Sequence, residues 1–220
     1  MGERTDTRII DIENWNRKEQ FNFFRHYDNP FFGFTADIDV TDLLSYTQAR
    51  GYSFFAAYLF ASQIQVNLIP EFRYRIKEDE VVEYSRISAG STVMKANNVF
   101  TFCYFEYSPL FKTFQRHVLE RIKNCTQPDA LLVDNVHDIA QIHYSVIPWV
   151  HFSSVTHPRN YGTDDSVPKI VFGKYSQKSG RNIMPVSVEA HHALMDGFHI
   201  GQYFEGLQRS MDKPEQLLEG

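Results

Sequence analysis

The feature that most constrains the fold is an apolar run, Met184–Ala190, that passes directly into the segment His191–His199. β-branched residues in the run favour a buried strand. Asp196 and Gly197 then indicate a tight turn, since glycine accepts backbone conformations that a residue with a Cβ resists. Apolar residues next recur at helical spacing over Phe198–Met211. The sequence therefore predicts a strand, a turn and a helix, with two histidines held at the end of the strand.

This turn is suited to general-base chemistry. A hydroxyl attacks a thioester only if its proton is removed as the new bond forms, and a neutral imidazole can accept that proton. We take His192 as the candidate base and Asp196 as a brace for the loop. Two alternatives stay open: His191, His192, Asp196 and His199 could hold a metal, or the histidines could be structural and satisfied by hydrogen bonds. The spacing fits the helical H-E-x-x-H metal pattern poorly, so we favour acyl transfer and expect no metal.

Hydrophobic periodicity predicts more strands than helices. The predicted helices repeat apolar residues every three or four positions, and they are Thr41–Ala49, Ser53–Leu68, Ser108–Lys123 and Phe198–Met211. The predicted strands are rich in β-branched and aromatic residues, and they are Gly33–Val40, Glu71–Ile76, Val81–Tyr84, Ser91–Lys95, Phe100–Tyr104, Ala140–Ile147, Lys169–Lys174 and Met184–Ala190. The polar segments Thr126–Asp138 and His157–Val167 are predicted loops, the second long enough to carry substrate contacts.

A mixed β-sheet covered on one face by helices is the simplest arrangement that buries these elements. The sequence thus predicts the α/β class, as a two-layer sandwich. The chain has 220 residues, of which 43% are hydrophobic and 15% aromatic, enough for one core. We therefore expect a single domain over residues 1–220, with no linker and no internal repeat.

Charge and composition exclude several partners. The formal net charge is −5, and lysine and arginine are scattered without a basic run, so no nucleic acid is expected. The N-terminus lacks the hydrophobic core of a signal peptide, and the longest apolar stretch, Phe54–Ile64, is too short to cross a bilayer. We expect a soluble, cytoplasmic protein with no membrane partner. Cys103 and Cys125 are far apart and lack metal-ligand spacing, which predicts two free thiols in a reducing compartment.

The histidine segment resembles the H-H-x-x-x-D-G signature of the CoA-dependent acyltransferase superfamily, here from His191 to Gly197. Three other segments resemble the chloramphenicol acetyltransferase family in particular, namely Ile12–Phe21, Ser145–Phe152 and Gly173–Tyr175. Their order and separations fit that family along nearly the whole chain. The chain is therefore identified as a member of it.

The resemblance implies a two-layer sandwich and a homotrimer whose active sites lie at subunit interfaces. Condensation domains of the superfamily look like two copies of this unit in one chain. Here the signature occurs once, which suggests that oligomerisation completes the site. The resemblance also implies acetyl-CoA as co-substrate without a permanently bound cofactor, a small hydroxylated acceptor, and direct transfer in a ternary complex with no acyl-enzyme.

The resemblance assigns catalytic and supporting roles. His192 would abstract the hydroxyl proton, and Ser145 would donate a hydrogen bond to the tetrahedral oxyanion; alternatively, Ser145 is an ordinary strand-end serine. Arg17 would form a bidentate pair with Asp196 and, with Gly197, hold the catalytic turn. The alternative for Arg17 is a place on a solvated charged face.

Substrate contacts are also implied. Trp149, Lys174 and Tyr175 match positions near the CoA channel, where an aromatic ring can stack on adenine and a lysine can meet phosphate. Phe24, Phe102 and His143 are the candidate acceptor contacts. Near the implied substrate sites the chain departs from the family at four places: it has Ser53-Phe54-Phe55 where lysine-phenylalanine-tyrosine is usual, Val171 for threonine, Phe24 for tyrosine, and His143 for asparagine or a small polar residue.

Three hypotheses follow. The first is an acetyl-CoA-dependent O-acetyltransferase that acetylates chloramphenicol and so inactivates the antibiotic. The second is an O-acetyltransferase for another small hydroxylated metabolite, which the departures at Phe24, His143 and Val171 keep open. The third is a non-catalytic trimeric paralogue, against which the intact His192 and Ser145 argue.

Overall fold

The computed structural model describes residues 6–127, 139–159 and 165–220. Its helices are α1 (Lys18–Phe24), α2 (Thr41–Arg50), α3 (Phe54–Leu68), α4 (Phe111–Cys125), α5 (Gly197–Asp212) and α6 (Pro214–Glu219), with 3-10 turns at Ile12–Asn14 and Pro70–Arg73. Its strands are β1 (Thr7–Ile9), β2 (Phe31–Asp39), β3 (Tyr74–Lys77), β4 (Glu80–Tyr84), β5 (Ser88–Met94), β6 (Phe100–Phe105), β7 (Gln141–Ile147), β8 (Lys169–Gly173), β9 (Ser176–Lys178) and β10 (Arg181–His191).

The main sheet is mixed. Its strand order is β2-β10-β8-β7-β5-β6, and β9 also pairs with β10. β7 runs parallel to both β5 and β8, while the other pairings in this sheet are antiparallel. A smaller antiparallel sheet, β1-β4-β3, was not expected. The mixed α/β architecture predicted from the sequence is confirmed.

Helix α3 lies at the centre of the core. Ser53 caps its first turn, with the hydroxyl accepting a hydrogen bond from the amide of Ala56 at 3.3 Å. The helix is apolar nearly all round and packs in one cluster with Ile142 and Tyr144 of β7. Because side chains alternate along a strand, Ser145 points to the face of the sheet opposite this core. The side chains of His143 and Ser145 in β7 therefore lie on the face of the sheet that points away from α3.

The predicted helices and strands agree with the structure best where the elements are long. The predicted strand Glu71–Ile76 is wrong at its start, since Pro70 begins a 3-10 turn and the strand begins only at Tyr74. Proline fixes φ near the helical value and lacks an amide hydrogen, so it favours a helical start. Four short elements were missed, namely α1, α6, β1 and β9, because a few residues carry too little periodicity. The predicted loop Thr126–Asp138 falls almost wholly outside the described residues, as do 160–164.

The expectation of two free thiols is wrong. Cys103 in β6 and Cys125 at the end of α4 form a disulfide. Helix α4 folds back along β6 and brings the two Cα atoms to 6.0 Å, within the usual range for a disulfide. The separation of 22 residues along the sequence carried no information about this approach.

Across the described ranges, no helix has both the length and the apolar composition that a membrane crossing requires.

Candidate active site

The turn between β10 and α5 is held by its own hydrogen bonds. One carboxylate oxygen of Asp196 accepts from the amide of Phe198 at 3.0 Å. In return, the Nδ1 atom of His199 accepts from the amide of Asp196 at 3.1 Å. This reciprocal capping box satisfies two amides at the start of α5. It fixes the backbone immediately after His192.

Gly197 does not use the conformational freedom expected of it. It is the first residue of α5 and is not among the residues with positive φ. A Cβ at this position would lie 3.6 Å from the ring of Phe34, which is an ordinary contact. The turn forms instead because Asp196 caps the helix, so the expectation of a glycine-specific turn is wrong.

Arg17 ties the N-terminal segment to the turn. Its guanidinium is nearly buried, and one nitrogen donates to the Asp196 carboxylate at 2.7 Å. A second nitrogen donates to the backbone carbonyl of His192 at 3.2 Å. The predicted pair is present, but the bidentate geometry is wrong, because the guanidinium forks between the carboxylate and the carbonyl. It therefore holds the aspartate and the histidine backbone together.

Opposing effects act on the Asp196 carboxyl. Burial raises its pKa, but the hydrogen bonds from Arg17 and from the amide of Phe198, together with the charge of Arg17, outweigh burial and hold the pKa below its ordinary value. Asp196 is therefore a carboxylate at neutral pH. Its two oxygens are both engaged, which suits a bracing role.

The imidazole of His192 has a defined orientation. Its Nδ1 atom lies 3.1 Å from the carbonyl oxygen of Met195. Because a carbonyl only accepts, this contact assigns the proton to Nδ1 and leaves Nε2 with a free lone pair. The ring lies 4.1 Å from Phe24, nearly parallel to it, and 4.3 Å from Phe32. His192 can thus accept a proton at Nε2, and Phe24 contacts this histidine.

The other two histidines of the segment have structural partners. His191 is 5% exposed, and its Nδ1 atom accepts from the amide of Ala193 at 3.2 Å. Burial, with the nearby charge of Arg159, lowers the pKa of His191 to about 4. His199 places its Nε2 atom 3.4 Å from the carboxylate of Glu71. In the part of the chain that the structure describes, no cluster of three or more metal-ligating side chains is found.

A cavity of about 720 Å³ lies elsewhere on the sheet. Four of the predicted site residues line it: Ser145, His143, Phe102 and Trp149. His192, Phe24, Lys174 and Tyr175 are not in its wall. Tyr104 and Lys169, which were not predicted as ligand contacts, also line it, and so does His157, the first residue of the loop that was predicted to carry substrate contacts. The sequence signal for Tyr104 and Lys169 was the alternation of side chains along β6 and β8, because every second residue of a strand points to the same face of the sheet.

Ser145 and His192 of one chain are far apart. Ser145 pairs with Val171 in β8, which in turn pairs with Ser187 in β10. His192 lies five residues beyond Ser187, about 17 Å along the strand, and two strand spacings, about 10 Å, separate β7 from β10. The two backbone positions are therefore about 20 Å apart. A single chain does not bring this base and this hydroxyl to one substrate.

The CoA candidates gather at one edge of the sheet. Trp149 follows β7 and Tyr175 follows β8, and these strands are parallel neighbours. Their carboxyl ends therefore meet at the same edge. Trp149 is 63% exposed, Lys174 is exposed, and Tyr175 meets Phe54 edge to face at 6.0 Å. The exposed rings and the lysine can serve a ligand arriving from solvent.

Comparison with known proteins gives a consistent match. The family model described as chloramphenicol acetyltransferase matches residues 6–208. Chloramphenicol acetyltransferase 3 of Escherichia coli is 31% identical over 205 residues, which cover 90% of this chain and 94% of that protein.

Solved structures agree. A chloramphenicol acetyltransferase aligns with a TM-score of 0.87 and 34% identity, covering 94% of this chain and all of that one. A dihydrolipoamide acetyltransferase of Azotobacter vinelandii aligns with a TM-score of 0.67 and 12% identity, covering 99% of this chain and 93% of that one. The second likeness concerns the fold alone.

Proposed function

Since the chain belongs to the chloramphenicol acetyltransferase family, a class of acyltransferase enzymes, we propose that it transfers an acetyl group from acetyl-CoA to a hydroxyl of chloramphenicol. The relative in Escherichia coli is named for that acceptor. The reaction gives an acetyl ester and free CoA, and so inactivates the antibiotic. The observation that carries the proposal is the orientation of His192, whose Nδ1 atom is bound by the Met195 carbonyl so that Nε2 is the nitrogen that can accept a proton.

His192 acts as the general base. Its Nε2 atom takes the proton of the acceptor hydroxyl while the oxygen attacks the thioester carbonyl. As the tetrahedral intermediate collapses, the carbon–sulfur bond breaks and the same proton passes to the thiolate of CoA. Phe24 and Phe32 both pack against the ring, which restricts its rotation through both steps.

Ser145 stabilises the oxyanion. Its hydroxyl faces the cavity and can donate one hydrogen bond to the carbonyl oxygen as negative charge develops. Val171, its neighbour in β8, is apolar, so no adjacent side chain on that strand competes for the hydroxyl. Asp196 and Arg17 do not touch substrate in this scheme; they position His192.

The working site spans two chains. Because Ser145 and His192 of one chain lie about 20 Å apart, the His192 of a neighbouring subunit completes the cavity of the first in this scheme. A homotrimer of about 77 kDa, three times the chain mass of 25.7 kDa, provides three such interfaces by cyclic symmetry.

The two substrates enter from different sides. Trp149, Lys174 and Tyr175 bind CoA at the carboxyl edge of the sheet. Phe102 and His143 contact the acceptor within the cavity, and Phe24 meets it from the His192 side.

The test is a thiol-release assay with acetyl-CoA and chloramphenicol. His192→Ala should lower turnover by about 10²–10⁴-fold or more while CoA binding, followed by calorimetry, is retained. His191→Gln is the matched control, because this neighbour is buried and hydrogen-bonded to the backbone; it should keep turnover within about tenfold. Near-normal turnover of His192→Ala, or loss confined to His191→Gln, would contradict the assignment.

A different small alcohol is the second candidate acceptor. His143 lies in the cavity wall and Val171 pairs with Ser145, and at both positions the chain departs from the family pattern noted above. A panel of alcohols in the same assay separates the two cases. A kcat/KM for another alcohol that exceeds the value for chloramphenicol would favour this second candidate.

A further inference from the structure

Two polar side chains stand next to each other in the wall of the cavity. His143 of β7 and Lys169 of β8 are paired in register, and both line the cavity. Residues paired in register on neighbouring strands have side chains on the same face. The imidazole and the ammonium are thus adjacent.

The imidazole of His143 is available to a ligand. In the stretches of chain that the structure describes, no hydrogen bond to this ring is found, and burial lowers its pKa to about 4. The charges around it are those of Asp165, Lys169, Arg75 and Arg159. The ring is therefore neutral at physiological pH, with one nitrogen that donates and one that accepts.

Lys169 has donors to spare. Its Nζ atom donates to the backbone carbonyl of Pro158 at 2.8 Å, and an ammonium group has three hydrogens. Much of the remaining wall is apolar, as at Val93, Met94 and Phe102. Polar groups in an otherwise apolar cavity fix the orientation of a ligand, because water competes weakly there.

The position of His143 and Lys169 relative to Ser145 indicates in which direction the acceptor alcohol extends through the cavity. Ser145 lies two residues beyond His143, about 7 Å along the strand. Trp149 and the other CoA candidates lie beyond Ser145 in the same direction. If the acyl donor occupies that end, the acceptor extends from Ser145 towards His143 and Lys169.

We propose that His143 and Lys169 together bind an oxygen atom of the acceptor alcohol, at the end of the molecule remote from the reacting hydroxyl. The class of acceptor is then an alcohol with an apolar body and a hydrogen-bond-accepting oxygen group, such as a nitro or carbonyl group, at its far end. This inference rests on the proposed function for the location of the reacting hydroxyl.

The test compares two arylalkyl alcohols that differ only in a para-nitro or a para-ethyl substituent. Their affinities for the CoA-loaded protein are measured by calorimetry, and their kcat/KM values by thiol release. The wild type should favour the nitro compound by about tenfold, as expected for two hydrogen bonds in an apolar site. His143→Leu and Lys169→Met should each reduce this ratio to below about threefold, with little change for the ethyl compound.

Thr92→Val is the matched control. Thr92 lines the same cavity on β5, and valine keeps its shape, so the tenfold ratio should remain. Thermal melts of each variant identify any loss of folding, and His143→Asn, which keeps a polar group, should retain part of the preference.

The outcomes separate the two proposals. Absence of a preference in the wild type, or an unchanged ratio in both His143→Leu and Lys169→Met, overturns the recognition. Acetylation of both alcohols without preference overturns it while leaving the acyltransfer intact. Binding with the expected preference but without any transfer supports the recognition and contradicts the proposed function.

Discussion

Replacing Asp196 by asparagine tests how the catalytic turn is held. In the native carboxylate, one oxygen accepts from the amide of Phe198 and the other from Arg17. Asparagine has almost the same shape but only one oxygen. It can keep the helix cap or the bond to Arg17, but not both, and it removes the charge that the nearly buried guanidinium faces.

The cost follows from this geometry. Breaking a fully buried ion pair costs about 3–5 kcal/mol, but the Asp196 side chain is 37% exposed, so water screens part of the interaction. We expect a loss of about 2 kcal/mol, the range for a hydrogen bond to a charged group. In a chain of this size that lowers the melting temperature by roughly 4–8 °C. Because Arg17 also holds the His192 carbonyl, kcat should fall by about 10–100-fold.

Calorimetric melts and steady-state kinetics measure both effects. The control is Glu205→Gln in the same helix, whose partner Arg209 is exposed and 3.7 Å away; it should change the melting temperature by less than about 1 °C. The pKa of Asp196 lies below its ordinary value of 3.8, so the ion pair contributes fully above about pH 4 and is lost as the pH falls further. The melting temperatures of wild type and variant should therefore converge as the pH falls below the ordinary pKa of an aspartate. Equal melting temperatures and equal kcat at neutral pH would refute the reasoning.

Three further outcomes follow from particular residues. The pKa of His191 is about 4 in the folded protein and 6.5 ordinarily, so protonation favours the unfolded state. Wild type should lose up to about 3 kcal/mol of its free energy of unfolding through this group as the pH falls from 6.5 to 4. Urea unfolding should show that His191→Gln lacks this loss. Gly173→Ala should destabilise by about 1–3 kcal/mol, since its Cβ would meet Pro185 at 2.6 Å, whereas Gly201→Ala in open space of α5 should be neutral or stabilising. Ser145→Ala should lower kcat by about 10²–10³-fold with little change in KM, and an effect on KM alone would contradict an oxyanion role.

Local signals predicted the long elements well. The start of α3 was readable from Ser53, because a serine cap and an apolar repeat act over a few residues. The strand, turn and helix around His192 were readable for the same reason, although the role of Gly197 was not. The turn depends on the Asp196 cap, and a capping aspartate and a turn aspartate look alike in sequence.

Contacts between distant segments could not be predicted in this way. The resemblance paired Arg17 with Asp196, but its second bond, to the His192 carbonyl, depends on how the guanidinium sits in three dimensions. Arg159 binds Glu189 at 2.9 Å and lies over the ring of Phe31, and no spacing rule connects these residues. The alternation of β7 put His143 and Ser145 on one face, but only the strand order shows that Lys169 stands beside His143.

The most direct test of the shared site mixes two inactive proteins. His192→Ala chains keep Ser145 and the cavity, while Ser145→Ala chains keep His192, so neither oligomer alone has a complete site. The two are unfolded, refolded together in equal amounts and isolated as mixed oligomers through two different affinity tags. We expect recovery of about a third of wild-type turnover, because every mixed trimer of either composition pairs an intact base with an intact cavity at one of its three interfaces. Mixed oligomers with no more activity than the separate variants would show that each chain contains its own complete site.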